Sequence, residues 1–154
     1  MIHRIHRSFA LSWKLMPELL ARMAKFTETY DPEGLPEETI ELVRSWFTYG
    51  DMRLGVWVII DNDEQIVAHL FVTPEPLGLD PKYFRFALVR QALVNPGVDA
   101  REEARVVFEQ ACMWARSLDL TTMLMFTHRS AESMARKWGF VENKKLMRRS
   151  LMNG

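Results

Sequence analysis

The sequence has one cysteine, Cys112, so no disulfide can close within the chain, and no C-x-x-C pair or His/Cys cluster has metal-ligand spacing. No metal is expected, and a reducing, cytoplasmic setting suits such a chain. Charge of one sign is lacking as well: Lys plus Arg and Asp plus Glu number 20 each. That balance argues against nucleic acid or an anionic membrane as an obligatory partner. The opening MIHRIHR holds no long apolar run of the kind a signal peptide or membrane span needs, which predicts a soluble protein. A Walker loop, a G-x-S-x-G elbow and an H-E-x-x-H pair are also missing, and the chemistries they serve are set aside with them.

What is present is apolar volume. Five Trp, nine Phe and ten Met in 154 residues are ample for one core, and the length predicts a single domain over 1–154. After a short strand at Ile2 to Arg7, Trp13, Met16, Leu19, Leu20, Met23 and Phe26 recur at helical steps. Pro36 opens a second helix with Ile40, Val43, Trp46 and Phe47 on its apolar positions. The runs 55–60 and 65–73 flank the polar turn Asp61 to Glu64 and predict a hairpin. Tyr83 to Val94 is long enough for a bent or bulged strand, which Asn95, Pro96 and Gly97 stop. From Ala100 to Leu118 an apolar stripe (Ala104, Val107, Phe108, Ala111, Ala115, Leu118) marks a long helix. A strand at 121–127, a short helix at 130–137 stopped by Gly139, and a final hairpin from Phe140 onward complete the order. The expectation is an α/β (α+β) fold: a mixed, mostly antiparallel sheet of six to seven strands flanked by about four helices.

From Val94 onward the chain resembles the GNAT (N-acetyltransferase) superfamily. The segment 94–104, VNPGVDAREEA, is similar to the family's V-x-P-x-x-[RQ]-G-x-G-x-[GA], matching at the valine, the proline and the last small residue. Residues 128–140, HRSAESMARKWGF, are similar to N-x-x-A-x-x-L-Y-x-K-x-G-F, matching at alanine, lysine, glycine and phenylalanine. The resemblance implies a GNAT-like fold and acetyl-CoA as cofactor. It places Leu93, Val94, Ala100, Arg101, Ala104 and Arg105, with His128 and Arg129, along the cofactor, and it implies an amine of a small molecule or protein as acceptor.

Several family positions hold other residues. Asp99 stands where the family has Arg or Gln, and Ala100 and Glu102 stand where it has glycines whose open backbone lets N–H groups meet a pyrophosphate. Asp99 and Glu102 also have the spacing of a capping box, which would occupy those donors. The family's tyrosine, the thiolate's proton donor, falls on Ala135, and a glutamate base on the fourth strand falls near Arg90. His69 and Glu75 are the substitute bases the sequence offers, although a lone strand histidine also reads as a hydrogen-bonded sheet residue. His128 reads as a loop or cap residue as readily as a phosphate contact, and Cys112 reads as core. The basic run Lys144 to Arg149 reads as a solvated edge, with nucleic-acid contact unlikely.

The departures at the loop, the tyrosine and the base favour a non-catalytic GNAT-fold protein with a closed cofactor site, binding a protein partner or joining a larger assembly. The alternative is an acetyl-CoA-dependent N-acetyltransferase. Eroded relatives of the non-catalytic kind occur among proteins of tailed bacteriophages, some as virion components, and the chain's ending is similar to theirs.

Overall fold

In the computed structural model, residues 3–7, 15–30, 41, 44, 55–75, 86–125 and 136–141 are described. The hairpin is the centre of the sheet. Strands β2 (Gly55–Ile60) and β3 (Ile66–Glu75) pair antiparallel. Asp61 builds the turn between them: its carboxylate accepts the backbone N–H groups of Asp63 and Gln65 at 2.9 Å each, and Glu64 takes the left-handed conformation, φ 56°. Strand β1 (Arg4–Arg7) pairs antiparallel with β2, and β4 (Phe86–Val94) pairs antiparallel with β3. Strand β5 (Met123–Met125) runs parallel to β4. The sheet order is β1-β2-β3-β4-β5.

Helix α1 (Leu15–Tyr30) covers one face. Pro17 lies in its first turn, where a missing N–H costs no intrahelical bond. Leu19, Leu20 and Met23 pack on Val56, Val58, Ile60, Ile66 and Phe71. Helix α2 (Arg101–Ser117) covers the other face and carries the chain from β4 to its parallel neighbour β5. Val107, Ala111 and Ala115 meet Trp57, Ile59, Val72, Ala87 and Val89 there. Strand β2 is thus buried on both faces, which is why its sequence, GVWVII, is continuously apolar where a one-sided strand would alternate.

The expected bulge exists and has a definite place. Phe71 pairs with Gln91 but Val72 pairs with Val89, so Arg90 is the extra residue of β4. A bulged residue breaks the alternation of side chains, and Arg90 and Gln91 consequently project to the same, α1-covered face.

The strand and helix counts expected from the sequence need correction. Among the described residues the sheet has five strands, where six to seven were expected. Among the described residues α1 and α2 are the complete helices, where about four were expected, and the other helical residues there are Glu41, Arg44 and Arg136 to Trp138. Phe140 and Val141 are not in a strand; Phe140 packs on Phe108 of α2 at 5.7 Å, while Val141 is 83% exposed. Contact with a helix, rather than a strand partner, accounts for that phenylalanine. The rest of the final hairpin, most of the second helix, and residues 130–135 of the short helix lie outside the described residues. Gly139 is left-handed, φ 71°, as a helix-stopping residue requires. No helix among the described residues is long and apolar enough to cross a membrane.

Candidate acyl-CoA site

The end of β4 is tied down from the opposite face. Asn95 N–H donates to the Val67 carbonyl at 2.8 Å, and the Asn95 side-chain oxygen accepts Arg22 Nη1 of α1 at 2.8 Å. The same Nη1 reaches the Ile66 carbonyl at 3.1 Å, and Glu18 accepts the Ile66 N–H at 3.0 Å. Gly97, φ 81°, then turns the chain toward α2. Leu93 and Val94 are the last residues of β4, opposite His69 and Ala68, and Val94 is 41% exposed.

The start of α2 differs from the expected capping box. Ala100 holds the cap position, and an alanine has no side-chain acceptor. Asp99 instead turns onto Arg101, whose guanidinium donates to its two oxygens at 3.1 and 3.3 Å. Those hydrogen bonds hold the Asp99 carboxyl below its ordinary range and push the Arg101 guanidinium above its own. The physical reason lies in the core. Ala100 is 2% exposed among the residues under the sheet, so the helix begins after it and Asp99 is left outside. Among the described hydrogen bonds none is donated by the backbone N–H of Glu102 or Glu103; the first turn closes only with Ala104 N–H on the Ala100 carbonyl, 2.8 Å. These are the donors that an anion at a helix start would take. Arg105 lies one turn in, 3.9 Å from Glu102. Ala104 is half-buried, and His128 and Arg129 lie outside the described residues.

The two proposed bases occupy one strand and do not converge. His69 and Glu75 are six residues apart on β3, about 20 Å along an extended chain. His69 is 4% exposed beneath α1. Its Nε2 is 2.9 Å from the Gln91 side-chain oxygen. The Gln91 amide nitrogen is already spent on the Met23 carbonyl (3.1 Å) and the Thr27 hydroxyl (3.2 Å). Gln91 must therefore accept from His69, which makes Nε2 the protonated ring nitrogen and leaves Nδ1 buried without a partner. Burial pushes the His69 pKa down to about 4, against the Gln91 hydrogen bond and helped by the Arg22 charge. The ring is neutral at pH 7.

Glu75, at the other end, belongs to a polar triad that sequence reasoning missed. Arg90 donates through Nη2 to the Glu75 carboxylate and through Nε to the Thr73 hydroxyl at 2.7 Å, and that hydroxyl donates to Glu75 at 3.0 Å. Arg90, near which the resemblance places a glutamate base, holds a carboxylate from the neighbouring strand β3 beside the bulge. The sole signal in the sequence was the length of the β4 run. Cys112 is half-buried in α2, and burial pushes its thiol up, away from nucleophilic use.

No family model and no curated protein matches the sequence. Solved structures do match in shape. A predicted acetyltransferase from Clostridium acetobutylicum, whose structure contains acetyl-CoA, superposes with a TM-score of 0.68 over 99% of this chain and 97% of its own, at 13% identity. Glucosamine-6-phosphate N-acetyltransferase from Arabidopsis thaliana gives 0.67 over 98% and 99%, at 16% identity. An aminoglycoside 6'-N-acetyltransferase from Acinetobacter baumannii gives 0.66 over 99% and 100%, also at 16%. The chain shares the fold of these acetyltransferases.

Proposed function

We propose that the protein is an acyl-CoA-dependent N-acyltransferase acting on an amine, with acetyl-CoA lying from the end of β4 to the start of α2. The observation that carries this reading is the uncapped first turn of α2, directly after β4, in a fold shared with acetyltransferases. Acetyl-CoA supplies an activated thioester. The backbone at Leu93 and Val94 lines the cofactor's arm, which carries the thioester back along β4 toward Arg90 and Glu75, and the N–H groups of Glu102 and Glu103, with Arg101 and Arg105, take the diphosphate. The amine attacks the carbonyl carbon; the new C–N bond forms as the C–S bond breaks. Glu75 is the better placed base, because its carboxylate is oriented by Thr73 and Arg90. His69 is buried and too weakly basic to compete. The thiolate leaves without help from Ala135 and takes its proton from water.

One observation favours a second reading, a closed scaffold serving a protein partner or an assembly such as a virion: three carboxylates, Asp99, Glu102 and Glu103, crowd one helix start. Calorimetric titration with acetyl-CoA separates the two. Micromolar binding by the unaltered protein supports the transferase and calls for an amine-acceptor screen. Binding gained only in an Asp99→Gln, Glu102→Gly variant means that the loop itself closes the site.

A further inference from the structure

Arg90 and Glu75 are each used only in part by the contact between them. Arg90 commits Nε to the Thr73 hydroxyl and Nη2 to the Glu75 carboxylate. The Thr73 hydroxyl and Arg90 both donate to the same carboxylate oxygen, Oε1. Among the described residues no hydrogen bond falls on Arg90 Nη1 or on Glu75 Oε2. Thr73 is fully buried and fixes both side chains, while the arginine side chain is 41% exposed and that of Glu75 16%. Oε2 is not sealed from solvent. The pair thus holds an anionic acceptor and a cationic donor side by side, already oriented. Its position gives it a use. Strand β5 pairs with Ala87 to Val89 of β4 and, among the described residues, with no later one. Arg90 is the next residue, where β4 has parted from that neighbour, on the route along which the thioester is carried toward Glu75.

We propose that the acceptor is a compact zwitterion, an amine with a carboxylate on the neighbouring carbon as in an α-amino acid: its ammonium meets Glu75 and its carboxylate meets Arg90. This rests on the acyl-CoA reading above. Spacing selects the compact zwitterion. Arg90 and Glu75 touch through Nη2 and Oε1, so the two charges they recognise must be close together, as they are on one carbon. A plain amine would bring a second cation up to the guanidinium with nothing to offset it, whereas the acceptor's own carboxylate turns that repulsion into an attraction. One ammonium proton passes through Glu75 to solvent, the C–N bond forms as the C–S bond breaks, and the second proton reaches the thiol by way of water. The products are the N-acylated acid, the free thiol of CoA and one proton.

Thiol release from acetyl-CoA tests this. The acceptors are the standard L-α-amino acids, the amide and the decarboxylated amine of each acid that reacts, and ethanolamine, glucosamine and spermidine. In the wild type at least one acid reacts, with kcat/KM about tenfold or more above its own amide and amine. A wild-type ratio near one overturns the proposal before any variant is made. In Arg90→Gln, shown by circular dichroism to be folded, the ratio collapses, and in Arg90→Lys, which keeps a cation without the planar fork, part of it survives. If Arg90 serves only to hold Glu75, its loss lowers acid and amide in equal proportion; an intact ratio in Arg90→Gln therefore also overturns the proposal. So does faster turnover of ethanolamine, glucosamine or spermidine than of every amino acid, and so does calorimetric binding of acetyl-CoA with no amino acid consumed. Absence of acetyl-CoA binding overturns the acyl-CoA reading itself.

Discussion

Arg90 and Glu75 meet across two strands although they are not register partners. Glu75 pairs with Phe86, and Arg90, four residues further along β4 on the same face, reaches back with its guanidinium to that carboxylate and to the Thr73 hydroxyl. Glu75→Gln keeps the shape and removes the base. We expect kcat for amine acylation to fall by about a hundredfold or more, with the melting temperature nearly unchanged. Unchanged turnover in an active preparation removes Glu75 from the mechanism. Arg90→Leu tests the other partner; the pair is partly exposed, so its loss costs about 1 kcal/mol in denaturant melts.

His69 makes stability depend on pH, and the sign follows from its environment. Its folded pKa, about 4, is below the ordinary 6.5, so between those values the unfolded chain binds the proton and the folded protein does not. The contribution is complete above about pH 6.5 and is lost as pH falls toward 4, amounting at most to something on the order of 3 kcal/mol. Urea melts of wild type and His69→Gln from pH 7 to pH 4 measure it. The wild type should lose more stability over that window than the variant, and parallel losses would contradict the buried, neutral ring.

Much of the architecture is legible in the sequence because hydrophobic period and burial agree. Leu19, Leu20 and Met23 meet the sheet at the helical spacing read from the residues, and the double-faced burial of β2 is written in its unbroken apolar run. The site is less legible, for two physical reasons. A bulge adds one residue and reverses the alternation after it, so no periodicity argument places Arg90 and Gln91 on one face. The cap was misread because Asp99 and Glu102 have the right spacing, while the burial of Ala100 decides where the helix begins.

Gln91 links α1 to the sheet, and its value lies in leaving no partner unmet. It is 4% exposed, accepts from His69 and donates to Met23 and Thr27. Gln91→Leu is close in size but strands the His69 N–H, while the Met23 carbonyl keeps the Thr27 hydroxyl as a donor. We expect a loss of about 1 to 3 kcal/mol in chemical denaturation, the cost of one buried polar group left unpaired. Gln91→Glu keeps an acceptor and should cost less at low pH, where the new carboxyl can remain neutral, than at pH 8. A loss below about 1 kcal/mol for Gln91→Leu would mean that water replaces the amide.

Gly55 is the position where the two-sided burial of β2 leaves no space at all. A Cβ built there lies 2.8 Å from the Val72 carbonyl oxygen and 2.9 Å from the Trp114 ring. The first contact is backbone in the paired strand. The second is an indole packed edge-on against Trp57 at 5.8 Å, which in turn lies under the Arg7 guanidinium at 4.2 Å. Neither neighbour is the free end of a flexible chain, so Gly55→Ala must displace the strand or the tryptophan pair. The gain expected from a less flexible unfolded chain, about 0.4 to 1 kcal/mol, is outweighed by an overpacking cost of about 1 to 3. Thermal melts should show a lower midpoint, accompanied by a change in near-ultraviolet circular dichroism from the disturbed indoles. A variant as stable as wild type, with that spectrum unchanged, would show that α2 can retreat from the sheet without cost.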